Sequence, residues 1–257
     1  MKTAVLERPQ SQPAEWFAAW FDSNHYHKLY AHRDHAEAGR FIDRLIRRLR
    51  PEAGATALDL GCGAGRHATQ LASHGLNVTG LDLSEASIQT ARVAEHDHLR
   101  FGRHDMRRPF GTDAFDYVFN LFTSFGYFET PAEHLTVIRN MAQALTAGGR
   151  LVLDYLNVRY AVDHETADET IERDGTRYDI ARWNDSGHFH KRIVVTDPES
   201  PAPQEHVERV AKFTLHDFAL MFALYGMRIE ETYGDYRLSP FEEARSPRLI
   251  LVTRKAR

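Results

Sequence analysis

Two sets of residues in this chain have the types and spacing to do chemistry. The denser is Ala57-Leu58-Asp59-Leu60-Gly61-Cys62-Gly63-Ala64-Gly65-Arg66-His67, a short apolar run that enters a glycine-rich turn and then a helix pattern. Gly61, Gly63 and Gly65 lack a Cβ and tolerate positive φ, so backbone there can come close to a ligand at a helix N-terminus. About 20 residues further on, Asn77-Val78-Thr79-Gly80-Leu81-Asp82 ends a second apolar run on an acid, the placement that takes a ribose hydroxyl pair. The second set is Tyr26, Tyr30 and Arg33, which fall at i, i+4 and i+7 on one helix face. Two phenols and a guanidinium there either pack on the core or close over a ligand, Arg33 then forking onto a carboxylate.

Dinucleotides and S-adenosylmethionine (SAM) both use such a turn. The dinucleotide spacing G-x-G-x-x-G needs glycine where Arg66 stands, and a bulky side chain there obstructs close helix packing under a pyrophosphate. SAM has no pyrophosphate, so the turn favours it. Asp59, two residues before the first glycine, either caps the turn or serves the cofactor.

These residues need a frame, and the chain supplies alternating helix and strand patterns. Ala38, Phe41, Ile42, Leu45, Ile46 and Leu49 recur at helical spacing before Pro51. Strands are expected near 57–60, 76–81, 98–101, 115–121 and 150–155, with Ser84 capping a helix through about Ala94 and Gly148-Gly149 capping another. The alternation then breaks. Asp174-Gly175 and Asn184-Asp185-Ser186-Gly187 are turn signals between runs rich in Thr, Tyr, Ile, Val and Trp, which predicts three or four antiparallel strands over about 165–213. A helix around Leu215 to Phe222 and strands at 227–233 and 248–253 resume the first pattern, the last pair as a hairpin.

The 257 residues carry a net charge of -4, one cysteine and 15 histidines. With Cys62 alone, a disulfide framework or cysteine-based metal cluster cannot be built, and Cys62 reads as a small spacer. His25, His27, His32 and His35 lack a completing carboxylate or cysteine at a metal spacing, so no metal is expected. No apolar run approaches the roughly 20 residues that span a bilayer. The expectation is a cytoplasmic protein, monomer or homodimer, without a nucleic-acid or membrane surface.

Tyr-x-x-x-Tyr-x-x-Arg-Asp, Leu-Asp-Leu-Gly-Cys-Gly-x-Gly-Arg-His, Gly-Leu-Asp-Leu-Ser, Phe-Thr-Ser-Phe-Gly-Tyr-Phe, Gly-Gly-Arg-Leu-Val-Leu-Asp and Tyr-Gly-Asp-Tyr occur in that order. From about Tyr26 onward the chain resembles a bacterial subgroup of class I SAM-dependent methyltransferases. The resemblance implies a Rossmann-like, seven-stranded, mostly parallel α/β sheet with its seventh strand antiparallel, helices on both faces, and the antiparallel insertion between strands five and six. It divides the chain into a tail over 1–13, a helical lid over 14–50, a SAM-binding core over 51–160, the insertion over 161–213 and the rest of the core over 214–257. It also implies that Asp105 takes the exocyclic amine of adenine and Met106 its face.

The expected cofactor set is Tyr26, Tyr30, Arg33, Asp59, Gly61, Cys62, Gly63, Asp82, Leu83, Asp105, Met106, Asn120 and Phe122. Phe125 and Tyr127 in the aromatic loop, with Tyr233 and Arg248 in the final hairpin, are the expected acceptor rim. The implied reaction passes a methyl group from SAM to a nitrogen or oxygen of a small molecule, leaving S-adenosylhomocysteine (SAH). Tyr127, His67 and His164 are base candidates that spacing does not separate. A SAM-binding regulatory module without turnover and a nicotinamide-dependent oxidoreductase are the alternatives.

Overall fold

A computed structural model describes residues 15–31, 35–165 and 168–257. The expected tail over 1–13 and Arg33 lie outside the described residues. Three helices open the chain: α1 (Trp16–Phe21), α2 (Asn24–Tyr30) and α3 (His35–Leu49). Ser23 caps α2 by accepting from the Tyr26 N–H at 3.1 Å, and Tyr26 and Tyr30 share one face of it.

Strands and helices then alternate: β1 (Thr56–Leu60), α4 (Arg66–Ser73), β2 (Asn77–Asp82), α5 (Glu85–Ala91), β3 (Leu99–Arg103), β4 (Phe115–Asn120), α6 (Pro131–Ala144) and β5 (Leu145–Leu156). Ser84 caps α5, which is shorter than expected because a 3-10 turn takes over at Arg92–Ala94. Thr130 and Glu133 form a reciprocal capping box on α6, with Pro131 at its first turn. The far end of α6 differs from the expectation. Gly148 and Gly149 do not cap it; the helix stops at Ala144, Leu145 is already extended, and both glycines lie inside β5. A Cβ on Gly149 would sit 3.1 Å from Asp116 O of β4 and 2.9 Å from Thr146 O of its own strand, so the glycine serves a tight turn of the strand against β4 instead.

After a short α7 (Val158–Asp163), which the periodicity did not signal, come β6 (Glu169–Arg173), β7 (Thr176–Asn184), β8 (His188–Thr196) and β9 (Gln204–Ala211). They form a separate four-stranded antiparallel sheet in the order β6-β7-β8-β9. Asp174 and Gly175, both at positive φ, make the two-residue turn between β6 and β7. α8 (Leu215–Ala223), β10 (Met227–Tyr233) and β11 (Arg248–Lys255) complete the chain.

The main sheet runs β10-β11-β5-β4-β1-β2-β3, with β11 antiparallel to both neighbours and the other pairings parallel. One face packs α3, α4 and α5 through Ile42, Leu45, Leu71 and Ile88; the other packs α6, α8, the N-terminal aromatics and the four-stranded sheet. Strand order reverses at β1, between β4 and β2, and the crevice beyond their carboxyl ends is where open α/β sheets bind ligands.

Candidate functional site

The glycine turn is built as the spacing required. Gly61, Gly63 and Gly65 have φ of 77°, 54° and 82°. A Cβ on Gly61 would lie 2.6 Å from Ser124 Cβ, and one on Gly65 would lie 2.6 Å from the Phe101 ring, so these two positions also need the space. The Gly61 and Cys62 amides donate to Leu81 O at 2.7 and 3.1 Å, which ties the turn to β2. Asp82, at the end of β2, takes the Gly63 N–H on one carboxylate oxygen at 2.8 Å and the Ser84 N–H on the other at 2.9 Å. Each oxygen keeps a further lone pair, and the side chain borders the cavity.

Burial controls protonation here. It pushes the Asp82 carboxyl up, against backbone donors that pull it down. Asp59 is buried in β1, and burial together with the charge of Asp82 pushes its carboxyl up to about 7. Burial, then Asp59 and Asp82, hold the Cys62 thiol well above its usual value, so it is no nucleophile.

A cavity of about 400 Å³ lies over the turn. The lining includes Leu83, Ser87, Thr90, Asp105 and Met106. Burial alone would raise the Asp105 carboxyl, but hydrogen bonds and charge from Arg107 outweigh it and hold the group below the ordinary aspartate value. Much of the rest is aromatic. Phe17 and Phe21 of α1, Tyr26 and Tyr30 of α2, and Phe122 and Tyr127 of the loop after β4 contribute to it. The rings touch one another: Phe21 to Tyr26 at 5.0 Å, Tyr26 to Tyr30 at 4.8 Å and Phe21 to Tyr127 at 5.1 Å between centroids. The Tyr127 hydroxyl donates to Thr123 O at 2.5 Å.

That loop is strained and held from behind. Phe122 and Thr123 both have φ of 59°, a left-handed conformation costly for these residues. Asp154, buried at the end of β5, accepts the Phe122 N–H at 2.8 Å and the Tyr236 hydroxyl at 3.1 Å. Arg248 donates to Asp154 at 2.8 Å and to Thr123 Oγ1 at 2.7 Å. The Phe122 ring, fixed this way, lies parallel to Tyr236 and under the Arg66 guanidinium at 4.4 Å.

Eleven of the expected residues border the cavity. They are Tyr26, Tyr30, Gly61, Cys62, Gly63, Asp82, Leu83, Asp105, Met106, Phe122 and Tyr127. Five do not. Asp59 lies beneath the turn, buried by its neighbours in the sheet. Asn120 donates through Nδ2 to Leu60 O at 2.8 Å and pins β4 to β1 from within. Phe125 is fully buried among Phe128, His134, Phe213 and Phe218, so it is core and not rim. Tyr233 faces α3, bonded to Arg48 at 2.9 Å and to Glu231. Arg248 does not border the cavity and reaches the site through Asp154 and Thr123. Among the base candidates, His67 and Tyr127 border the cavity, while His164 stacks on Tyr160 at 3.9 Å away from it.

Phe17, Phe21, His27, Thr123 and Ser124 also border the cavity and were not foreseen. The signal for the first two was the aromatic run Trp16 to Phe21, too short to stand alone; Thr123 and Ser124 sat inside a loop already marked as aromatic and functional.

Residues 57–149 match the family described as "Methyltransferase domain". A protein of Geobacillus sp. named as a methyltransferase is 28% identical over 94% of this chain and 99% of its own length. A dTDP-3-amino-3,4,6-trideoxy-alpha-D-glucopyranose N,N-dimethyltransferase of Streptomyces venezuelae is 26% identical over 79% of this chain and 87% of its own. Among solved structures, the SAM-bound amino pentose methyltransferase of Micromonospora echinaspora superposes with a TM-score of 0.66 at 27% identity, covering 91% of this chain and 98% of that one. An S-adenosylmethionine-dependent methyltransferase from Clostridium acetobutylicum shares the fold at a TM-score of 0.74 and 16% identity, over 94% and 98% of the two chains.

Proposed function

We propose that this chain, a class I SAM-dependent methyltransferase, passes the methyl group to a nitrogen or oxygen nucleophile of a small molecule held against the aromatic lining of the cavity. SAM supplies a methyl group already activated on a sulfonium centre. The nicotinamide alternative is set aside: the related structures are SAM enzymes, and Arg66 occupies the third-glycine position and lies over Phe122.

The residues present fit the cofactor. Asp82 offers free lone pairs to a ribose, Asp105 an acceptor to the adenine amine, Met106 and Leu83 apolar surface to its ring, and the Gly61 to Gly63 turn an uncluttered approach for the amino-acid portion. The rings that α1, α2 and the loop after β4 bring to the cavity carry the acceptor assignment. Those rings exclude water from a reacting cation and offer π faces to it, which favours in-line attack on the methyl–sulfur bond. The hydroxyls of Tyr127 and Tyr30 are held in place, the first by donating to Thr123 O and the second by donating to Glu208 and accepting from Lys191. A net charge of -4 gives no electrostatic reason for a nucleic-acid acceptor.

The test is SAH release on addition of small amines and alcohols, amino-sugar nucleotides among them, against peptides and RNA oligonucleotides at equal concentration. Turnover confined to small acceptors is expected. Turnover only on a peptide or RNA would overturn the acceptor class, and tight SAM binding without turnover on any of them would favour the regulatory reading.

A further inference from the structure

One cation sits behind the cavity wall with all three of its nitrogens engaged. Arg107 lies in the loop after β3, two residues beyond Asp105, and its side chain gathers carboxylates from three separate parts of the chain. Its Nε donates to both Asp105 oxygens at 3.1 Å and its Nη2 to Asp105 Oδ2 at 2.7 Å, a forked pair. Nη1 donates to Glu133 of the α6 capping box at 2.9 Å, and Nη2 also to Glu15, the residue preceding α1, at 2.8 Å. The guanidinium lies 5.4 Å from the Phe17 ring centre and 5.9 Å from that of Phe128. Asp105, Phe17 and Phe128 border the cavity; Arg107 does not.

This geometry has two consequences. The Arg107 backbone N–H donates to Asp105 Oδ1 at 2.9 Å and leaves the carboxylate a hinge about that oxygen; the fork closes the hinge, so the lone pair left over keeps a fixed direction. And α1, which carries Phe17 and Phe21 of the roof, is anchored through Glu15 and Phe17 to the same cation. We infer that Arg107 is a positioning residue that aims Asp105 at the adenine amine and locks the α1 roof to it, making adenine recognition and roof closure one event. The inference rests on the assignment of Asp105 to the adenine amine.

The experiment compares calorimetric binding of SAH with that of S-inosylhomocysteine, in which a carbonyl replaces the exocyclic amine. A hydrogen bond from the amine to a charged carboxylate predicts a preference for SAH of about tenfold or more in the unaltered protein. Arg107→Met should bring the ratio close to one, and Arg107→Lys, which keeps charge without the fork, should give an intermediate ratio. A variant that only loosens the fold weakens both ligands together and leaves the ratio intact; that result for Arg107→Met would overturn the inference. A ratio near one already in the unaltered protein, unchanged in Asp105→Asn, would instead remove the Asp105 assignment and the inference with it. Should Arg107→Met not fold, Glu15→Gln provides the second measurement. SAH should raise hydrogen-exchange protection in Trp16–Phe21 of the unaltered protein, and Glu15→Gln should lose that increment while keeping the one at Gly61–Gly65. An increment in α1 undiminished by Glu15→Gln would overturn the coupling.

Discussion

Asp59→Asn should make the protein less sensitive to rising pH, by an amount that follows from burial. The Asp59 carboxyl is buried in the sheet, near Asp82, and its Oδ2 has no hydrogen-bond partner among the described residues. Burial and the Asp82 charge raise it to about 7 from an unfolded value of 3.8. The folded state therefore holds the proton more tightly, and stability is lost as pH rises from the unfolded value through the folded one. For this pair of values the cost of ionisation is roughly 1.7 kcal/mol at pH 5 and roughly 4 kcal/mol at pH 8. Asparagine has no such titration, keeps the volume and still offers an oxygen. The difference in unfolding free energy between Asp59→Asn and the unaltered protein should thus move in favour of the variant by about 2.5 kcal/mol between pH 5 and pH 8. Urea unfolding at both pH values measures it, and taking the difference cancels the other titrating groups. A difference that does not change with pH, or that moves against the variant, would refute the account of Asp59 as a buried and partly protonated acid.

Gly61→Ala places a Cβ 2.6 Å from Ser124 Cβ at a φ of 77°. It should cost about 1–3 kcal/mol in urea unfolding and, by displacing a wall of the cavity, reduce SAH affinity by about tenfold or more. Asp154→Ala strands the partly buried Arg248 and releases the Phe122–Thr123 backbone, so it should cost about 3 kcal/mol. Asp154→Ala with Arg248→Met should cost clearly less than the two single changes added together; additive losses in that double-mutant cycle would mean the pair does not act as a unit.

The parts of the fold that follow from local chemistry were legible in the sequence. Alternating patterns located the strands and helices of the core, the Ser84 cap and the Asp174-Gly175 turn came from residues with few other uses, and the glycine spacing located the turn that borders the cavity. What failed was direction. Asp59 stands beside the turn in sequence and Asn120 ends the strand paired with β1, but strand alternation and close packing of β1 against β4 place both beneath the turn. Phe122 and Thr123 adopt a left-handed conformation that no residue type there announces, and it turns Phe125 into the core while leaving Tyr127 on the cavity. Tyr233 and Arg248 lie at the predicted edge of the sheet, yet long-range partners on α3 and β5 claim them. Arg107 draws its meaning from Glu15 and Glu133, partners that only the folded chain brings together.

The central claim is that the glycine turn and Asp82 hold an adenosyl cofactor. Calorimetric titration with SAM, SAH and NAD, repeated on Asp82→Ala, addresses it most directly. The account predicts micromolar binding of both adenosyl ligands, little for NAD, and a loss of about tenfold or more in the variant, as expected when hydrogen bonds to a charged group are removed. Absent adenosyl binding, tighter binding of NAD, or an Asp82→Ala protein that binds SAH as well as the original would contradict it.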